Sequence, residues 1–383
     1  MSNRDTLNPT VMTLGQRFWQ LNWFLILLIC ALASVGFMML YSAGNGSYSP
    51  WAERQMVRFG VGMFVMLAIA LTDIRLWLKY AYLFYAGSLI LLIAVEVAGT
   101  VGMGAQRWID LKVFHLQPSE LMKIALVLSL ARYFHRLSLD DVARPTYLVF
   151  PILLVAAPVA LVMRQPDLGT SLLLLMGSVT MFFLAGVRIW KFVLVGLIGL
   201  SAIPVAWSML HAYQKNRIMT FLSPESDPLG AGYHALQSFI ALGSGGISGK
   251  GFLKGTQSHL SFLPEMQTDF IFTMYAEEFG LIGGLLLIAL YATVIAYTFA
   301  IAMRSRNHFG RLVAMGIATM FFLYVFINIA MVTGLTPVVG VPLPLISYGG
   351  TAMMTVLIGF GLVMNVYIHR DMRIGRHGEV SNT

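Results

Sequence analysis

The sequence predicts an all-α, polytopic membrane protein with about ten transmembrane helices and one large extracytoplasmic loop between helices 7 and 8. Three observations carry that expectation. The 383 residues are 58% hydrophobic and 11% charged, whereas a soluble domain carries about 25% charged residues. Apolar runs long enough to cross a ~30 Å hydrocarbon core, at 1.5 Å per residue, recur along the chain. Lys and Arg gather between alternate runs, which is the mark of cytoplasmic loops.

The spans fall near 22–42, 56–72, 79–99, 118–134, 147–163, 170–186, 191–209, 270–302, 311–333 and 349–368. The first follows Arg4 and Arg17 and is longer than a signal-peptide core, so it reads as an uncleaved span. The fourth opens at Pro118, a residue suited to the first turn of a helix. The eighth is longer than one crossing needs, so its start lies in an outer-surface segment or tilts across the bilayer. All of 1–383 forms one integral membrane domain, with a cytoplasmic N-terminus (1–21), a large outer loop (210–269) and a cytoplasmic tail (369–383). With the N-terminus inside, fifteen Lys and Arg fall on cytoplasmic segments. Six count on the outer side, once the four of the long loop are set aside because long loops translocate regardless of charge.

The formal charge of +8 is therefore a topology signal with anionic-lipid contact as a secondary role, and nucleic-acid binding drops out. The glycines around Gly249-Lys250-Gly251 superficially resemble a phosphate loop, but the spacing is one residue long and Gly251 stands where Ser or Thr is required. A single cysteine, Cys30, excludes an intramolecular disulfide and a Cys-based zinc or iron–sulfur site. The eight histidines show no zincin spacing.

Acidic residues show the opposite bias to the basic ones. Six of the seventeen are cytoplasmic, and eleven fall in outer loops or the outer halves of helices. A charge in a spanning segment costs at least ~2.5–3.5 kcal/mol on insertion scales and usually faces a cavity or a partner. The outer half is thus expected to hold a polar cavity with four candidate walls. The first runs from Arg107 to Asp110 and on through Gln117-Pro118-Ser119-Glu120 to Lys123. Glu120 sits where the helix dipole favours an anion, and it either pairs with Lys123 at i,i+3 or leaves Lys123, with Arg107 nearby, to meet a phosphate. The second is the Arg164–Thr170 turn, where Asp167 lines the cavity or caps the next helix. The third is the long loop, helical over Tyr233–Leu242, whose glycines bring backbone N–H groups to an anion or merely permit turns. It ends at Asp269. Two turns on, Glu277 is expected to share a cavity with Asp269, while Glu278 pairs with a neighbouring helix. The fourth wall, Thr333 to Gly350, reads as a re-entrant outer loop because such irregular backbone survives at membrane depth only when buried or lining a cavity.

These motifs resemble the SEDS (shape, elongation, division, sporulation) family of bacterial cell-wall proteins. The resemblance rests on Gly104 to Ile109, Gln117 to Glu120 with Lys123, Gln165 to Thr170, Lys215-Asn216-Arg217, Leu263-Pro264-Glu265 with Thr268 to Phe272, Glu277-Glu278, and Pro344 to Gly350. It covers nearly the whole chain in order. Trp108 to Leu111, Gly349 to Met353 and the short tails resemble the elongation branch more than the division branch. The resemblance implies a peptidoglycan glycosyltransferase of the bacterial inner membrane that polymerises lipid II on the outer face. It implies as partners a class B penicillin-binding protein and other membrane proteins of the elongation complex. It implies Asp269 as the essential carboxylate, with Glu120, Lys123 and Asp167 as supporting residues.

A sugar hydroxyl is a weak nucleophile, so Asp269 is assigned as general base for an inverting displacement of undecaprenyl pyrophosphate. The leaving group needs positive charge, for which Arg107, Lys123, Arg217 and Lys250 are candidates, as is a divalent cation, Mg²⁺ or Mn²⁺. The sequence leaves that choice open. Glu277 and Ser347 complete the expected substrate-binding set. A lipid II flippase or carrier is the rival reading, and a non-catalytic scaffold the third.

Overall fold

The computed structural model describes residues 13–102, 105–110, 115–209, 215, 219–221, 223, 231–256, 265–372 and 374–375. Arg217, Asn216, Gly104 and the Leu263-Pro264 pair lie outside these described residues. A short amphipathic helix, α1 (Leu14–Trp19), is closed at its start by a capping box between Thr13 and Gln16. The long helices then follow as α2 (Trp23–Ala43), α3 (Ala52–Leu71), α4 (Ile74–Ala98) and α5 (Pro118–Arg136). After a short α6 (Leu139–Ala143) come α7 (Val149–Arg164), α8 (Leu168–Leu184), α9 (Ile189–Met209) and α10 (Ala231–Gly245). The chain finishes with α11 (Ile271–Arg304), α12 (His308–Val332) and α13 (Gly350–Ile368).

Ten of these match the expected spans, and α10 covers the helical stretch expected in the long loop. Among the described residues, seven stretches are long and apolar enough to cross a membrane, with α8 and α9 as shorter apolar helices. α5 is the polar one. It carries Glu120, Lys123, Arg132 and Arg136 and is nevertheless buried along most of its length. The reason is its position, packed between α4, α8 and α12. α12 is the central helix, packed on α5, α8, α11 and α13. α3 lies along α13, and α9 turns its apolar side chains outward.

Two features were not expected. The segment before α5 forms a small antiparallel sheet, β1 (Thr100–Gly102), β2 (Ala105–Asp110) and β3 (His115–Leu116), in the order β1-β2-β3. It sits over the start of α5 and pairs the strand residues of this connection with one another. The second is a break in α11. Gly280 adopts φ +67°, which divides the 34 residues into a short limb up to Phe279 and a 24-residue limb, 281–304. The second limb, at about 36 Å, suffices to span. The excess length of the eighth run is therefore the short limb.

Residues 336–349 do form a re-entrant segment. A Cβ at Gly36 would come within 2.6 Å of the Leu345 carbonyl oxygen. Gly36 is seven residues from the end of α2, so the segment reaches about 10 Å into the bundle. Its backbone is satisfied there by side chains, as membrane depth demands. Tyr291 donates its hydroxyl to the Pro344 carbonyl at 2.6 Å, and the Gln55 amide donates to the Ser347 carbonyl at 2.9 Å.

Candidate active site

The segments singled out in the sequence meet at one end of the bundle, where α2, α4, α7 and α12 finish and α3, α5, α8, α11 and α13 begin. Three stations lie there, joined through α12 and the re-entrant segment.

The first station is the turn between α7 and α8. Asp167 is the N-cap of α8 and accepts from the Thr170 N–H at 3.1 Å. Its other oxygen takes the Gln117 amide at 3.4 Å and faces the Arg107 guanidinium at 3.8 Å. Arg107, held out from β2, also donates to the carbonyls of Gln165 and Pro166. Asp167 thus caps α8, and its second oxygen stands among Gln117 and Arg107.

The second station is in the first turn of α5. Lys123 donates to Glu120 at 2.6 Å, so the i,i+3 pair forms. Both residues are almost wholly buried. The Tyr324 hydroxyl, from α12, contacts the Lys123 amine and donates to the other Glu120 oxygen at 2.7 Å. The ammonium also lies 4.3 Å from the centre of the Tyr324 ring. Below them a cavity of about 40 Å³ is walled by Ile124, Val127, Ile317, Met320, Phe321 and Phe360.

The third station holds Asp269. A turn closes before it: the Thr268 N–H and hydroxyl both donate to the Glu265 carbonyl, at 3.0 and 3.1 Å. The Asn328 side-chain amide donates to the Asp269 carbonyl at 2.9 Å and to the Val341 carbonyl at 2.7 Å. Gly340, beside Val341, lies over the carboxylate, where an added Cβ would stand 3.4 Å from Asp269 Oδ2. Ser347 donates to the Thr268 carbonyl at 2.6 Å and accepts from the Leu343 N–H at 2.7 Å. Its hydroxyl braces the Asp269 segment.

The stations connect through two contacts. Tyr324 and Asn328 are one turn apart on α12, so a single helix carries the Glu120–Lys123 pair and the Asp269 backbone. Gly169, next to the Asp167 cap, has room for no side chain against the Val339 carbonyl, and Val339 adjoins Gly340. Neither Tyr324 nor Asn328 was among the expected residues. An asparagine and a tyrosine at i,i+4 in an otherwise apolar span were the available signal, because amides in membrane helices bond across to neighbours.

Glu277 and Lys250 form a separate cluster. Glu277 is fully buried, and one of its oxygens accepts from Lys250 at 2.7 Å, the Thr256 N–H at 2.8 Å and the Thr256 hydroxyl at 3.2 Å. The pair clamps the 246–256 loop onto the break in α11, so the open cavity expected around Glu277 is replaced by an internal ion pair. Glu278 does bond a neighbouring helix, accepting from Ser42 of α2. The glycine cluster serves the same clamp. The N–H groups of Lys250 and Gly251 donate to the carbonyls of Glu277 and Glu278, and those of Leu281 and Ile282 donate to Gly246 and Ile247. Those loop N–H groups are spent on protein carbonyls, which favours the turn reading of the glycines over an anion cradle.

Among the described residues no three His, Cys, Asp or Glu side chains gather as a metal site. A groove of about 570 Å³ opens on α4 and α5, lined by Trp77, Tyr80, Phe84, Ser88, Leu91, Leu121 and Leu128. Leu121, in the first turn of α5, brings one end of this apolar groove to the end of the bundle where the polar residues lie.

Comparison with known proteins places this arrangement. Residues 20–372 match the family model described as cell cycle protein, FtsW/RodA/SpoVE. The chain is 44% identical over 374 residues to the peptidoglycan glycosyltransferase MrdB of Escherichia coli K12, covering 96% of this chain and 98% of that one. A solved peptidoglycan synthase complex, described by its structural coordination of polymerization and crosslinking, contains a chain with TM-score 0.79 and 34% identity, over 91% of this chain and 98% of that one. The crystal structure of Thermus thermophilus RodA matches with TM-score 0.69 and 30% identity, over 91% and 97% of the two chains.

Proposed function

The chain belongs to the FtsW/RodA/SpoVE family of cell cycle proteins and is a peptidoglycan glycosyltransferase, and from that premise we propose that it polymerises lipid II with Asp269 as general base. The observation that carries this reading is the fixing of Asp269. Its backbone is tied to α12, and its carboxylate lies under Gly340, at the end of the bundle that also holds Arg107–Asp167 and Glu120–Lys123.

In the proposed reaction the Asp269 carboxylate, about 3 Å from the acceptor sugar hydroxyl, takes its proton as the oxygen attacks the anomeric carbon of the donor. The new C–O bond forms as the bond to phosphate breaks, and its electron pair leaves on undecaprenyl pyrophosphate. Arg107 keeps 28% of its side chain exposed, against 3% for Lys123. Arg107 is therefore the better placed to meet the leaving pyrophosphate, while Lys123 acts from within its buried pair. A divalent cation, Mg²⁺ or Mn²⁺, would have to share its ligands with the substrate phosphates, since among the described residues no three His, Cys, Asp or Glu side chains gather. The apolar groove on α4 and α5 supports lateral access, the polyprenyl tail staying in lipid while the headgroup reaches Asp269.

The proposal sets this end on the outer face of the inner membrane, both termini in the cytoplasm, and the enzyme at work in elongation beside a class B penicillin-binding protein and other membrane proteins of that complex. The positive-inside count supports the orientation, and the crosslinking complex that contains a similar chain supports the partner. A flippase needs a polar passage to the opposite end, and the apolar wall beneath Lys123 and Tyr324 counts against one.

The test is polymerisation of labelled lipid II by the purified protein, with and without the penicillin-binding partner and Mg²⁺. Wild type is expected to make glycan strands and a folded Asp269→Asn variant none. Equal polymer from both would overturn the base assignment.

A further inference from the structure

We propose that Asn328 is a positioning residue for the transferase reaction, setting the place of the Asp269 carboxylate through the two backbone carbonyls it holds. The proposal rests on the reading of Asp269 as base. Asn328 is fully buried on α12, and its one amide group donates to the carbonyls of Asp269, at 2.9 Å, and Val341, at 2.7 Å. These carbonyls belong to the two strands of backbone that enclose the carboxylate: Asp269 itself, and the Gly340–Val341 step that lies over it.

Neither carbonyl is part of a regular helix. α11 begins its own ladder at Phe270, whose carbonyl accepts from Thr273 and Met274, so the Asp269 carbonyl lies one residue outside the helix. Val341 lies in the irregular re-entrant segment. Without a donor from α12, both carbonyls would lose a hydrogen bond in a buried setting, which the backbone relieves by shifting. The same turn of α12 carries Tyr324 on the Glu120–Lys123 pair. The amide therefore ties the Asp269 backbone to the Gly340–Val341 step, and α12 ties both to the turn that carries Tyr324 and the Glu120–Lys123 pair. A general base works only within hydrogen-bond reach of its proton, and a shift of about 1 Å costs on the order of 10²-fold.

Asn328→Leu keeps the volume and removes both donors. Lipid II polymerisation by this variant is expected to show kcat lowered about 10²-fold with KM changed less than about threefold, because the lipid groove and Arg107 are untouched. Asn328→Asp provides a second reading, for which the pH profile is the readout. Protonated, its carboxyl still donates one bond; ionised, it donates none and repels Asp269. Its activity relative to wild type is expected to fall as pH rises and the introduced carboxyl ionises. A wild-type-like kcat in Asn328→Leu, or a pH profile of Asn328→Asp parallel to wild type, would overturn the proposal. Asp269→Asn in the same assay separates the two claims. Inactive Asp269→Asn beside fully active Asn328→Leu removes the positioning role and leaves the base. Active Asp269→Asn removes the base and with it the proposal, because Asn328 would then act through something else.

Discussion

Lys123 and Glu120 show how far single residues can be read. Their pairing follows from i,i+3 spacing in a first helical turn, and the sequence carries it. Tyr324, which completes the cluster, is 201 residues further along, and nothing local brings it there. The pair sits at about 3% exposure, where a lone charge is costly. Lys123→Met is therefore expected to destabilise the protein by about 3–5 kcal/mol, since Glu120 loses its cation in a buried setting. Thermal unfolding in detergent should show it. Lys123→Met combined with Glu120→Gln should recover most of that loss without recovering polymerisation. Equal stability of the single and double variants would mean that the ion pair contributes little to holding α5 on α12.

Elements were legible where periodicity and length decide, and less so where backbone meets backbone. The ten spans, the Tyr233–Leu242 helix and the re-entrant loop all follow from hydropathy, proline and glycine content. The small β1-β2-β3 sheet does not, since six residues such as Ala105–Asp110 offer no sustained alternation. The break in α11 was signalled only by excess length. Its cause is tertiary: a Cβ at Gly280 would lie 2.3 Å from the Gly249 nitrogen, and Gly280 and Gly249 both have positive φ. Gly280→Ala is expected to lower the unfolding temperature in detergent markedly, by both strain and clash. Gly243→Ala is the control: nothing lies within 4 Å of an added Cβ there, and its place in α10 should make alanine neutral or favourable by up to about 1 kcal/mol. Similar behaviour of the two variants would contradict the splice between loop and helix.

At the scale of the whole molecule, the count of Lys and Arg proposes an orientation with both termini in the cytoplasm. Intact-cell labelling checks the orientation. A cysteine at exposed Ser223 should react with a membrane-impermeant maleimide, and one at exposed Asp371, beyond α13, should not. At the opposite end of the bundle, one buried histidine is expected to make stability depend on pH. His369, just past α13, is buried, and burial pushes its imidazole below the ordinary 6.5, against the raising effects of the Asn365 carbonyl and Asp73 and with the help of Arg17 and Arg75. A depressed histidine favours the folded state when neutral, so its contribution is complete above about pH 6.5 and is lost as pH falls through the lowered value. Thermal unfolding from pH 8 to 5 should show that loss, and His369→Gln should flatten it.

The break in α11 also orders biosynthesis. The limb 281–304 can insert by itself, whereas the nine residues before Gly280 carry Glu277 and Glu278 and make their bonds to Ser42, Lys250 and Thr256. A nascent chain released after Arg304 would therefore be anchored with Asp269 still without its α12 clamp. Asp269 acquires that clamp only after α12 and the re-entrant segment have been made and folded back, so its backbone is fixed by residues that follow it by about sixty positions or more.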